Sequence, residues 1–180
     1  MSKLIPMLSE GEMAPELAAM LRPRVERLGY LGEFFRYTAH QPRALLSFLG
    51  FTEDLKRALP DKLTEVVALT VASLMGNAYE RVQHERLSLK LGFGESWVRD
   101  VLAGQGGGLS EQEKSVQRLA LAVVHRRGHD TGPELEAVVK SIGPEKAIAV
   151  LMLIGRYVTH ALIVNSLDLA PPVPSPLEEK

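Results

Sequence analysis

The feature that most constrains the fold is the apolar run LTEVVALTVASLM at residues 63–75, which Gly76 ends. Its only acidic residue is Glu65. The polar segment NAYERVQHERLSLKLG, residues 77–92, follows at once. Neither segment alternates with the period of two that a half-buried strand requires. The sequence therefore predicts two helices joined by a tight turn at Gly76.

The register of these two helices predicts that Glu65 and His84 lie at the same level. Glu65 lies 11 residues before Gly76, and His84 lies 8 residues after it. At a rise of 1.5 Å per residue, the two side chains are roughly 16 and 12 Å from the turn. If the second helix returns antiparallel to the first, they lie within about one helical turn of each other.

Ordinary structural roles are open for the same residues. Glu65 lies in the first turns of its helix, where an acidic side chain complements the helix dipole. Asn77 and Glu80 fit the spacing of a capping box. Glu80 and His84 fit the spacing of a surface i,i+4 pair. The functional interpretation rests on an acid among apolar neighbours with a histidine at its level.

The chemistry that such a pair would perform is proton transfer. Burial raises the pKa of a carboxyl group, and a neighbouring imidazole can exchange a proton with it near neutral pH. The pair needs neither a metal nor a thiol. We expect no cofactor and no metal.

The remaining segments predict an all-α, single-domain helical bundle around the central antiparallel helix pair. The expected organisation is an N-terminal arm at residues 1–13, the domain at 14–170 and a proline-rich tail at 171–180. Within the domain, Asp61 is the expected N-cap of the apolar helix. Ser110, with Glu113 three residues later, is a predicted capping box.

Composition excludes several classes of function. Twenty-one basic and 22 acidic side chains give a net charge of −1, which offers no general attraction to nucleic acid or to an anionic membrane. The sequence contains no cysteine, which excludes disulfides, thiolate nucleophiles and thiolate metal sites. The N-terminal residues lack a signal-peptide pattern, and Glu65, Arg156 and His160 interrupt the long apolar runs. We expect a cytoplasmic protein with no membrane partner.

The segment LPDKLTEVVALTVASLMGNAYERVQHERLSLKLGF resembles the core of the carboxymuconolactone decarboxylase and alkylhydroperoxidase D-like family. The family pattern is a helix carrying a glutamate, a turn, and a second helix that carries a tyrosine and a histidine and ends at a glycine. Glu65, Tyr79, His84 and Gly92 match it. The core motif covers residues 60–93, and a looser similarity extends from about His40 to Leu169.

The peroxidase branch of that family carries a CxxC pair, which would occupy positions 77 and 80. Here those residues are Asn77 and Glu80. Peroxidase or peroxiredoxin activity would need a thiolate, so the family label conflicts with the sequence. The decarboxylase branch lacks the redox pair, and that resemblance implies cofactor-independent proton transfer on a small lactone or keto acid. In those terms Glu65 and His84 are the candidate catalytic residues, and Asn77, Tyr79 and Glu80 are candidate substrate-binding residues.

Two further pairs have i,i+4 spacing. His125 and His129 could bind a metal, but exposed histidines at a helix C-terminus are the more common arrangement. Arg156 and His160 interrupt the last apolar helix, where they could form a buried polar cluster, bind an anion or lie at a subunit interface.

The leading hypothesis is a lyase of the carboxymuconolactone decarboxylase type. The alternative from another class is a non-catalytic helical oligomer that serves as a binding module. The apolar segment AIAVLMLIGRYVTHALIV and the family resemblance both predict a homo-oligomer.

Overall fold

The computed structural model describes residues 4–178, which contain helices and no strand. They form two compact units that divide between Glu53 and Asp54. The all-α prediction is confirmed. This division does not test the prediction of one domain over residues 14–170, which stays a prediction.

The N-terminal unit contains a 3₁₀ turn at Glu10–Glu12, α1 (Pro15–Leu28), α2 (Glu33–Thr38) and most of α3 (Pro42–Ala58). Pro23 lies inside α1 without splitting it. Within this unit, the backbone N–H of Leu8 donates to Arg36 O, and the Arg36 side chain donates to Leu8 O. The residues before α1 are therefore held against α2.

The C-terminal unit is built around α4 (Asp61–Leu74), in which every residue from Leu63 to Ala72 is buried. The helices that follow are α5 (Ala78–Lys90), α6 (Glu95–Ala103), α7 (Glu111–His125), α8 (Gly132–Ile142) and α9 (Pro144–Ser166). Helix α4 packs against α5, α6, α7 and α9, and α8 packs against α7 and α9. Burial on all sides explains why α4 is apolar nearly all round.

The helix caps agree with the sequence in one case and differ in another. Ser110 and Glu113 form the predicted capping box of α7. Asp61, the expected N-cap of α4, is instead its first helical residue. Pro60 occupies the cap position and makes no side-chain hydrogen bond there. Proline fits there because the position before a helix needs no N–H donor.

Helix α9 is long and apolar enough to cross a membrane by length and composition, but 56% of its most apolar 18-residue segment is buried inside the protein. Buried core helices of soluble proteins can have the same length and apolar composition, so these two properties are weak support for a membrane span. Beyond α9, residues 171–178 contain no helix. Ser175 Oγ there donates to Oε2 of the fully buried Glu85, at 2.6 Å.

The turn between α4 and α5 depends on a left-handed backbone at Gly76, where φ is 63°. An added Cβ would meet no atom within 4 Å, so the cost of a side chain there is backbone strain alone. We expect Gly76→Ala to lower the free energy of unfolding by about 1–2 kcal/mol, measured by chemical denaturation. The matched control is Gly50→Ala inside α3, which is equally uncrowded but has no positive φ. It should instead stabilise by about 0.5–1 kcal/mol, and equal effects of the two variants would contradict the argument.

Candidate functional site

A buried hydrogen bond joins Glu65 of α4 to His84 of α5. Oε2 of Glu65 lies 2.7 Å from His84 Nδ1, and the side chains are 2% and 7% exposed. Ser88, one turn beyond His84 on the same face, also donates to Glu65 Oε2 at 3.1 Å. The predicted proximity of Glu65 and His84 is therefore present in the structure. Because a carboxylate only accepts, Nδ1 of His84 carries a proton.

The second nitrogen of His84 faces α9. Its Nε2 lies 3.2 Å from the hydroxyl of Tyr157 and 3.5 Å from Glu80 Oε1. The imidazole and the Tyr157 ring meet edge to face, with centroids 5.2 Å apart and planes at 85°. Both ring nitrogens of His84 thus contact polar groups in a buried setting.

Glu80 is the centre of a second set of contacts. Arg156 Nη1 donates to its Oε1 at 2.8 Å, and His160 Nε2 lies 3.4 Å from its Oε2. Glu80, Arg156 and His160 are 7%, 9% and 3% exposed. Arg156 and His160 therefore form a buried polar cluster, one of the alternatives that their sequence spacing left open. Glu80 is neither an exposed partner of His84 nor a group that bonds back to its own helix end.

Asn77 caps α5 but does not complete the expected capping box. Its Oδ1 accepts the backbone N–H of Glu80 at 3.0 Å, whereas the Glu80 side chain turns to α9 instead of closing the reciprocal bond. Asn77 Nδ2 lies 3.2 Å from His160 Nδ1. Tyr79 is 5% exposed, and its ring centroid is 6.3 Å from that of His160. Asn77, Tyr79 and Glu80 are thus brought to one cluster, while their substrate-binding roles stay predictions.

The pKa values of His84 and His160 shift in opposite directions. Burial opposes the charged form of His84, but Glu65 and Glu80 outweigh it and raise its pKa to about 9. Burial lowers the pKa of His160 to about 4; Glu80 opposes this shift, while Arg156 and His84 reinforce it. At neutral pH His84 is an imidazolium and His160 is neutral.

The Glu80 carboxyl group is also ionised at neutral pH. Burial would raise the pKa of its carboxyl group, but His160, Arg156 and His84 together hold that pKa well below its usual range. The site therefore contains a positively charged acid, His84, between two carboxyl groups. It has the elements of a proton-transfer site.

Sequence reasoning missed Tyr157, which has no signal of its own inside an apolar helix. Its neighbour Arg156 and the nearby His160 were visible as polar interruptions of that helix, but their pairing with Glu80 was not predicted. The other histidine pair, His125 and His129, is exposed. Within residues 4–178, no group of three or more histidine, aspartate or glutamate side chains is placed to hold a metal ion.

Comparison with solved structures defines the class of fold. The uncharacterized peroxidase-related protein from Ralstonia eutropha JMP134, described as an alkylhydroperoxidase AhpD core, superposes with a TM-score of 0.82 at 13% identity, over 92% of this chain and 90% of that one. The debrominase Bmp8 in complex with 2,3,4-tribromopyrrole gives 0.81 at 18% identity, over 94% and 92%. An Agrobacterium tumefaciens protein of unknown function gives 0.68 at 17% identity, over 77% and 97%.

The chain has the alkylhydroperoxidase D-like fold, and the predicted resemblance is confirmed at the level of the fold. No protein-family model matches the sequence, and no curated protein matches it. The chain is a cysteine-free protein of this fold.

The raised pKa of His84 predicts how stability depends on pH. Because the pKa is about 9 in the folded state and about 6.5 in the unfolded chain, the folded state binds the proton more tightly. This stabilisation, of order a few kcal/mol, is fully present below about pH 6.5 and is lost as the pH rises through 9. Thermal unfolding should show a fall in Tm over that range.

His84→Gln serves as the comparison, because it removes the titrating group. An alkaline decline of the same size in His84→Gln would show that another group causes it. His160 acts in the opposite direction, since a pKa lowered to about 4 destabilises the fold as the pH falls from about 6.5 to 4. His160→Gln should weaken the decline on that side.

Proposed function

We propose that the protein is a cofactor-independent enzyme that transfers a proton to or from a small organic acid, with decarboxylation of a lactone or keto acid as the reaction. The observation that carries this proposal is the buried Glu65–His84 hydrogen bond of 2.7 Å, with the far nitrogen of the imidazole directed at Tyr157 and Glu80. Proton transfer is the chemistry that a positioned carboxylate–imidazole pair performs.

His84 is the proposed general acid. Its Nδ1–H is committed to Glu65, so Nε2–H is the proton that can be delivered. Glu65 holds the ring in one orientation and stabilises its positive charge, and Ser88 holds Glu65. A substrate must approach Nε2 in place of Tyr157 or Glu80, or take the proton through the Tyr157 hydroxyl.

The decarboxylation step balances without a cofactor. The bond between the substrate carbon and its carboxylate breaks, carbon dioxide leaves, and the electron pair stays on the carbon, conjugated to the neighbouring carbonyl group as an enolate. His84 Nε2 then gives its proton to that carbon. A new proton from the solvent then restores the His84 imidazolium, so that one carboxylate and one proton give the protonated product and carbon dioxide.

Thiol chemistry is not part of the proposal. Residues 77 and 80, where the peroxidase pattern has its cysteines, are an asparagine and a glutamate, and both belong to a hydrogen-bonded and ionic cluster with α9. Reduction of a peroxide by a dithiol would need a nucleophile that the chain does not contain. The structural likeness to the debrominase and to the peroxidase-related protein supports a shared fold. Because the sequence identity is 18% or less, it supports nothing about a shared reaction.

The test is a mass-spectrometric screen of aromatic lactones and keto acids for loss of carbon dioxide, with wild type, His84→Gln and His129→Gln. His84→Gln should lower kcat by about 10²–10⁴-fold because it removes the acid. His129→Gln changes an exposed histidine outside the site and should keep full activity. Equal activity of wild type and His84→Gln on every substrate that reacts would refute the proposal.

We also propose that the protein self-associates through the exposed stripe of α9. The stripe consists of one face of the helix over four turns: Ile148, Met152, Gly155, Thr159 and Leu162. Its three large apolar members are 55%, 45% and 55% exposed, and it carries no charged residue. A second copy of the chain presents the same uncharged stripe and would cover it, as in isologous dimers. A helical oligomer without catalysis, the alternative function, would use this face as well.

Sedimentation equilibrium tests the association. Wild type should sediment above the 19.8 kDa of one chain, and Met152→Glu should shift the equilibrium toward that mass because it places a charge in an apolar contact. Met20→Glu is the matched control, since Met20 of α1 is 49% exposed but lies outside the stripe. A mass of 19.8 kDa for wild type at all concentrations would rule the proposal out.

A further inference from the structure

The orientation of the Asn77 amide is fixed by a donor that has only one possible role. The backbone N–H of Glu80 can only donate, and it lies 3.0 Å from Asn77 Oδ1. The oxygen of the amide is thereby assigned, and the other atom, which lies 3.2 Å from His160 Nδ1, is the amide nitrogen.

This orientation determines which nitrogen of His160 holds a proton. The Asn77 amide nitrogen carries two hydrogens and no free acceptor site, so Nδ1 of His160 must accept. An imidazolium would set an N–H against an N–H at this position. The neutral ring therefore carries its proton on Nε2, and that atom faces Glu80 Oε2 at 3.4 Å.

We propose that Asn77 and His160 are positioning residues. The amide of Asn77 holds His160 as its neutral Nε2–H tautomer, and the dipole of that N–H, 3.4 Å from Oε2, attracts the Glu80 carboxylate to its place between Arg156 and His84. The proposal rests on the proposed function for its catalytic consequence. It assigns to Asn77 a role other than contact with substrate.

Charged and aromatic groups of two helices face His160. From α5 they are Glu80, His84 and the ring of Tyr79, and from its own helix Arg156. Arg156 and a protonated His84 are both cationic, so a third positive charge on His160 would leave two carboxylates, Glu65 and Glu80, to balance three cations. A neutral His160 avoids this and still offers Glu80 a donor.

The consequence for catalysis passes through Glu80. A carboxylate held with Oε1 toward Arg156 and His84 keeps the His84 imidazolium charged and its Nε2–H directed to one place. Without the N–H of His160, the Glu80 carboxylate could rotate. The Nε2–H of His84 would then no longer be held in one direction.

The experiment is ¹⁵N NMR of the histidine rings, which reports the protonation of each nitrogen in the full-length protein without substrate. Wild type at pH 7 should show His160 with a bare Nδ1 and a protonated Nε2. An Nδ1–H tautomer or a cation in wild type would overturn the proposal, whatever the fate of any variant.

Two substitutions at one position separate the amide donor from the helix cap. Asn77→Asp and Asn77→Ser both retain a cap oxygen for the Glu80 N–H. Asp replaces the donor to His160 with a carboxylate, so the titration midpoint of His160 should rise by about 1–3 pH units. Ser should leave His160 neutral. An unchanged midpoint in a folded Asn77→Asp variant would contradict the proposal.

Activity gives a separate measure of positioning. His160→Gln keeps an amide N–H for Glu80 and should retain kcat, whereas His160→Leu should lose it with little change in KM. If His84→Gln leaves activity unaffected, the proposed function fails, but the NMR result for His160 stands by itself. If the tautomer is wrong while His84 is required, the positioning role alone fails.

Discussion

The hydrogen bond between Glu65 and His84 is the interaction on which the centre of the C-terminal unit depends. It lies between two helices that are packed at close range, and it leaves the acid, which is 2% exposed, with two donors. A buried carboxylate without partners would cost several kcal/mol. The histidine and Ser88 therefore satisfy an acid that α4 could not otherwise tolerate in an apolar setting.

The pair also determines what α9 must supply. An imidazolium at His84 directs its second N–H out of the helix pair, toward α9, and Tyr157 and the Glu80–Arg156 ion pair meet it there. Each added ion needs a counter-charge, because isolated charges are not stable in a buried site. The cluster is best understood as one electrostatic unit, in which the state of each group depends on the others.

The sequence was enough to predict what depends on local pattern. The all-α class, the turn at Gly76 and the shared level of Glu65 and His84 follow from apolar runs, a glycine and the rise of a helix. The sequence could not predict the turning of Glu80 from its helix end toward Arg156, because a capping box and a distant ion pair use the same residue at the same position. Tyr157 was hidden for a similar reason, since its partner is 73 positions away and only packing brings the two together.

The distances along the chain that these contacts span have a consequence for folding. The bond from Glu65 to His84 closes a separation of 19 residues, within one helical hairpin, whereas the bond from Glu80 to Arg156 closes 76. Closing the longer loop costs more conformational entropy, and contacts of that span form late unless they belong to the nucleus. During synthesis the hairpin of α4 and α5 leaves the ribosome well before α9. Until α9 packs against this hairpin, Arg156 cannot pair with Glu80. The charges of the site are therefore balanced only once α9 is in place.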